Sequence, residues 1–272
     1  MRKTGTLLTA LFAAFGVIFA LLRLVLLKNH IDPGGLPAAG FVSGAANALP
    51  FLALVVCLTV SGVLSSKKMS NPDTPAFHSE RHDLFFLILQ IISAALILIH
   101  SIISYPVANE FFEKHNELGT PLGVYCALIM IIDAVCIYKG RQFKALAYLH
   151  ILTPLYFCLQ LGEIFTANLS NPILMYYSFE CISLGAFALF LISQAGCILK
   201  KDQVSSVSFT GFMTLLFTPG AIVGAIANGA SVLPYCAMLL YVLPKLTVIL
   251  TGLVKRVKKE KKGSAKKTAS EN

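Results

Sequence analysis

The chain has 272 residues, 56% of them hydrophobic and only 13% charged, with a mean hydropathy of +0.76, whereas soluble domains carry roughly 25% charged residues. That excludes a soluble globular protein and leaves an all-α, polytopic transmembrane bundle, without a polar stretch long enough to fold as a separate domain. The net charge of +9 does not indicate a nucleic-acid binder: the last 18 residues hold eight Lys/Arg and two Glu, and the rest of the chain keeps 14 basic and 11 acidic residues, a net +3.

A membrane-spanning helix needs about 20 mainly apolar residues. Eight stretches meet that requirement: 6–27, 41–64, 83–105, 121–138, 145–166, 173–199, 208–227 and 232–254. The first follows Arg2-Lys3 and starts like a secretory signal. Its apolar run is longer than a signal's, and no clear A-x-A site follows, so it is read as a retained span. The expected plan is a membrane domain over 1–254 and a basic, disordered cytoplasmic tail over 255–272 that is drawn to anionic lipid headgroups.

The loops give an independent count, because Lys and Arg gather on the cytoplasmic side. Lys67, Lys68 and Arg81 follow the second stretch, Lys139, Arg141 and Lys144 the fourth, and Lys200 and Lys201 the sixth. The opposite loops differ: 106–120 is acidic, 28–40 holds Lys28 and Asp32, and 167–172 and 228–231 have no Lys or Arg. Eight helices with both termini in the cytoplasm satisfy every loop. Isoleucine-rich spans, many lysines and no tryptophan are the composition expected of a bacterial cell-membrane protein.

All seven cysteines lie in apolar stretches and none has a C-x-x-C spacing, so they are read as packing residues rather than as a disulfide framework or a zinc site. No cofactor is expected. The chain lacks the H-E-x-x-H, G-x-S-x-G and G-x-x-x-x-G-K-[ST] patterns of metalloproteases, hydrolases and nucleotide-binding proteins. Ser101 beside His100 is not a nucleophile–base pair, since consecutive helix positions point about 100° apart.

Ionisable side chains inside a bilayer cost a few kcal/mol unless paired or wetted, so those within the spans are the functional candidates. At 1.5 Å rise per residue, Asp133, His150 and Lys245 fall at roughly 9–12 Å from the cytoplasmic edge of the hydrocarbon and form an inner layer. Glu180, His100, Gln160, Arg23 and Asn47 fall at roughly 20–26 Å, with Glu163 near the outer edge, as an outer layer. Tyr156 and Tyr241 fall near mid-depth, where each phenol needs a partner. The sharpest expectation is that Asp133 pairs with Lys245, with His150 on the same level.

Thr153-Pro154, Thr218-Pro219-Gly220 and Leu243-Pro244 are expected to break three late helices, as in transporters. Gly220-x-x-x-Gly224 is expected to serve close helix packing. Three classes of function remain: a transporter of a small solute or ion, proton-coupled through its carboxylates; a non-catalytic accessory or assembly protein whose charges lock helices; and, third, an intramembrane enzyme.

Overall fold

A computed structural model describes residues 2–29, 52–61, 63, 84–103, 113–139, 144–167, 174–199 and 204–250. Its elements are α1 (Arg2–Asn29), α2 (Leu52–Ser61), α3 (Leu84–Ile103), α4 (Glu113–Tyr138), α5 (Lys144–His150), α6 (Thr153–Ala167), α7 (Leu174–Ile198), α8 (Val204–Ala227) and α9 (Leu233–Leu250). Seven units, with α5 and α6 acting as one, are long and apolar enough to cross a bilayer. The protein is an all-helical, multi-pass membrane bundle. Most of the expected second span, 41–64, lies outside the described residues, as do Asn47 and the basic tail.

Side-chain pairs fix the helix directions. Phe12 of α1 stacks on Phe212 of α8 at 4.0 Å, and Phe19 meets Phe217 further along, so α1 and α8 run parallel. α7 runs against α8, since Ser193 bonds Ser206 near one end while Phe179 meets Phe217 towards the other. Ser93 donates to the Ala237 carbonyl and His100 meets Ser231, so α3 opposes the strand of chain that enters α9. α1 and α3 therefore share a direction. The end of α2 lies beside the start of α8, its Ser61 carbonyl accepting from Ser205.

The core is built where apolar faces meet. Phe157, Phe187 and Phe190 form a ring cluster with Tyr241, the Phe157 and Phe187 centroids being 4.6 Å apart. α7, α8 and α9 are the most buried helices and α1 the least. Leu7, Leu11, Ile18 and Leu21 of α1 are exposed, which suits a helix whose outer face meets hydrocarbon.

Several boundaries differ from the expected ones. α4 begins at Glu113, eight residues before the expected start, taking in part of the acidic loop. Carboxylates in the first turns are favoured by the helix dipole, and Thr120 ties this end to α3 by donating to the Ser101 carbonyl. α8 begins at Val204, four residues early. Its serine-rich first turns are tolerated because Ser205 and Ser206 bond α2 and α7.

Of the three proline sites, only Thr153-Pro154 interrupts a helix; α8 and α9 continue through Pro219 and Pro244. Each proline removes one hydrogen bond, which neighbours can absorb. At Pro219 the freed carbonyl is that of Leu215, and a Cβ at Gly16 of α1 would collide with that oxygen. The missing side chain lets α1 pack there. The turn after α8 is closed by Gly229 at φ 66°. Ala230 N–H donates to Ala225 and Gly229 N–H to Ile226, the paired pattern that a left-handed glycine permits.

Candidate functional site

The break between α5 and α6 positions the central histidine. Pro154 has no N–H to give the His150 carbonyl, and the Thr153 hydroxyl donates to that carbonyl instead, at 2.7 Å. One residue earlier, the Leu149 carbonyl accepts from the Tyr125 hydroxyl of α4 at 2.8 Å. Ile151 and Leu152 turn with tight i→i−3 bonds. The exposed carbonyls are thus satisfied, and His150 is left as the last residue of α5, fully buried and facing α4.

Four helices converge there. Asp133 of α4 forms an ion pair with Lys245 of α9. The same carboxylate oxygen, Oδ2, accepts from Gln194 Nε2 of α7 at 3.0 Å and from the Tyr241 hydroxyl of α9 at 3.0 Å. Lys245 also donates to the Tyr241 hydroxyl one turn away, and its ammonium lies 4.1 Å from the centre of that ring. The other carboxylate oxygen, Oδ1, faces His150 Nε2 at 3.5 Å. That approach lacks the alignment of a hydrogen bond, and neither ring nitrogen of His150 has a hydrogen-bond partner among the described residues. All five side chains are buried, with Lys245 the most exposed at 2%.

The expected inner layer of Asp133, His150 and Lys245 is therefore one cluster. Gln194 and Tyr241 complete it. Both were visible as polar groups in apolar spans, but sequence depth alone could not assign their faces.

The expected outer layer separates into two groups on different sides of the bundle. In one, Arg23 of α1 reaches Glu180 of α7, one nitrogen bonding both carboxylate oxygens at 2.9 and 3.0 Å. The Arg23 guanidinium lies over the Phe179 ring at 4.5 Å. A Cβ at Gly224 would overlap Glu180 and Arg23, and one at Gly220 would meet Phe179. The Gly220-x-x-x-Gly224 stripe thus makes room for a buried ion pair. Neither Arg23 nor Lys245 snorkels to an interface; both turn into the bundle.

In the other group, His100 bonds Ser231 at 3.1 Å through Nδ1 and Gln160 at 3.2 Å through Nε2. Gln160 donates in turn to Glu163 at 3.3 Å. This chain runs from the exposed turn before α9 to a half-buried carboxylate on α6. Ser101 points elsewhere, to the Ile97 carbonyl and the Tyr156 hydroxyl, so Tyr156 also has its partner. Comparison of the chain with models of known protein families, with characterised proteins and with solved structures finds no match, and the meaning of the site rests on its chemistry.

Proposed function

We propose that this multi-pass membrane protein is a transporter of a small solute or ion, with the cluster around Asp133 as its exchange site. It would cross a bacterial cell membrane eight times with both termini in the cytoplasm. The shared direction of α1 and α3 supports that count.

The observation that carries the reading is the uneven satisfaction of Asp133. Three donors crowd Oδ2, while His150, placed at a helix break, faces Oδ1 with both nitrogens unbonded. A buried polar group without a partner costs about 1–3 kcal/mol. A static lock gains nothing from that cost, whereas a site that changes partners during a cycle requires spare capacity. The helix break supports the same reading, since interrupted helices at depth supply sites in transporters.

Arg23 and Glu180 favour the second reading for their own end of the bundle. The carboxylate is bonded through both oxygens, the guanidinium is covered by the Phe179 ring, and the pair fits against Gly224, which suits a structural lock between α1, α7 and α8.

The test is flux in proteoliposomes against a panel of inorganic ions, amino acids and carboxylic acids. Asp133→Asn combined with Lys245→Met removes both charges together and is expected to keep the fold while abolishing the flux that the unaltered protein supports. Equal leak from both proteins for every solute would refute the reading.

A further inference from the structure

We infer that the load of this site is a small monocarboxylate carried together with one proton, Asp133 acting as an internal stand-in for the substrate's carboxylate. This rests on the transporter reading and names its substrate class. The groups around Asp133 are overwhelmingly donors. Lys245 offers an ammonium, Gln194 an amide NH2, Tyr241 a phenolic O–H and His150 an imidazole N–H, and all four face a single carboxylate. The acceptors among the partners are the Gln194 amide oxygen, 3.4 Å from the Tyr241 hydroxyl, and the Tyr241 oxygen, which accepts from Lys245. Such a set recognises an anion with planar, paired oxygens. A metal cation or an ammonium group entering it would meet a resident ammonium and find the one carboxylate taken.

Charge balance fixes the proton. Deep in the bundle the cluster must stay close to neutral, because an uncompensated buried charge is strongly unfavourable. With Asp133 ionised, Lys245 protonated and His150 neutral, the charges of the cluster cancel. If a proton neutralises Asp133, Lys245 keeps its charge and needs another anion, and one substrate carboxylate restores neutrality. A proton and a monoanion therefore enter together and leave together, and no bond to carbon is made or broken. Among the described residues Lys245 is the cluster's single lysine or arginine, which matches one carboxylate rather than two.

The titratable groups facing Asp133 are His150 from α5 and Tyr241 and Lys245 from α9, with Cys136 one turn along α4 itself. α7 contributes the neutral Gln194. On α3 and α6, which also pack on α4, His100 and Glu163 belong to the chain at the opposite end. His150 is the only one of the facing groups with unbonded nitrogens, and it can take up the Asp133 proton or bond the incoming carboxylate.

The experiment uses the full chain in proteoliposomes with radiolabelled L-lactate, an internal pH dye, and sodium, rubidium and choline as cation controls. Lactate uptake is expected to be driven by an inward proton gradient, with matched acidification inside. Lys245→Met is expected to slow it by about 30-fold or more, the range for losing one partner of a buried charge pair. Asp133→Asn is expected to remove the response of lactate uptake to the proton gradient. Where either single variant fails to fold, the neutral pair Asp133→Asn/Lys245→Met replaces it, and residual lactate uptake by that pair overturns the inference. Flux of a cation control without lactate overturns the carboxylate assignment and leaves the transporter standing. An unchanged proton response in Asp133→Asn overturns the role of Asp133, and no flux of any probe overturns both.

Discussion

Asp133 shows how little a single residue says until its surroundings are known. Replacing it with Asn leaves Lys245 buried without a counter-charge, and thermal unfolding in detergent should show a loss of about 3–5 kcal/mol. Adding Lys245→Met should recover most of that loss, because the penalty belongs to the orphaned charge rather than to the missing carboxylate. A double variant as unstable as the sum of its parts would deny the coupling. Glycines offer a second contrast at this scale. At Gly224 a methyl group would overlap Glu180 and Arg23, whereas at Gly162 nothing lies within 4 Å. Gly224→Ala should cost about 1–3 kcal/mol by overpacking. Gly162→Ala should be neutral or stabilising by up to about 1 kcal/mol, since alanine is the better helix former. Melting temperatures of the two variants in the same detergent decide the matter.

At the scale of the element, the break between α5 and α6 is a local exchange of one hydrogen bond for another. Thr153→Val removes the hydroxyl that serves the His150 carbonyl and should cost about 1 kcal/mol, the usual worth of such a bond. Pro154→Ala supplies an N–H to the same carbonyl and lets the helix run on. Combined, the two changes should be less harmful than Thr153→Val alone, because the restored N–H serves the carbonyl that the hydroxyl left. The double variant should nevertheless transport poorly, since a continuous helix turns His150 away from Asp133. Unfolding and flux measured on the same three proteins separate these effects. Pro219 and Pro244 have no such role; α8 and α9 pass through them without interruption.

For the whole molecule, the side-chain pairs bring the start of α1 and the end of α9 to the same end of the bundle. Together with the basic loops, this supports the proposal that both termini are cytoplasmic. Cysteine accessibility on a cysteine-free background provides the check. A cysteine in place of His115 should label from outside and one in place of Lys262 from inside; the reverse pattern at either position overturns the topology. The division of labour between the bundle's ends is also a whole-molecule property. A closed Arg23–Glu180 pair holds α1 against α7 and α8 at one end, and the Asp133 cluster joins α4, α5, α7 and α9 at the other.

The sequence by itself determined the membrane class, the helical architecture and the pairing of Asp133 with Lys245. Each follows from one strong constraint: hydrocarbon does not tolerate unpaired backbone or charge, so apolar length gives the spans and depth restricts the partners. Depth does not give azimuth. Glu180, His100 and Gln160 share a level, yet the first bonds Arg23 across α1 and α7 while the others bond each other across α3 and α6. Tyr241 is legible in the sequence only as a phenol needing a partner, and Gln194 only as an amide within an apolar span. Their convergence on one oxygen of Asp133 was decided by how the helices rotate about their axes, which depends on the packing of Phe157, Phe187 and the glycine-lined contacts of α8. The uneven satisfaction of Asp133, from which the functional proposal comes, exists only in the tertiary structure, because it is set by distances of a few ångströms among four helices.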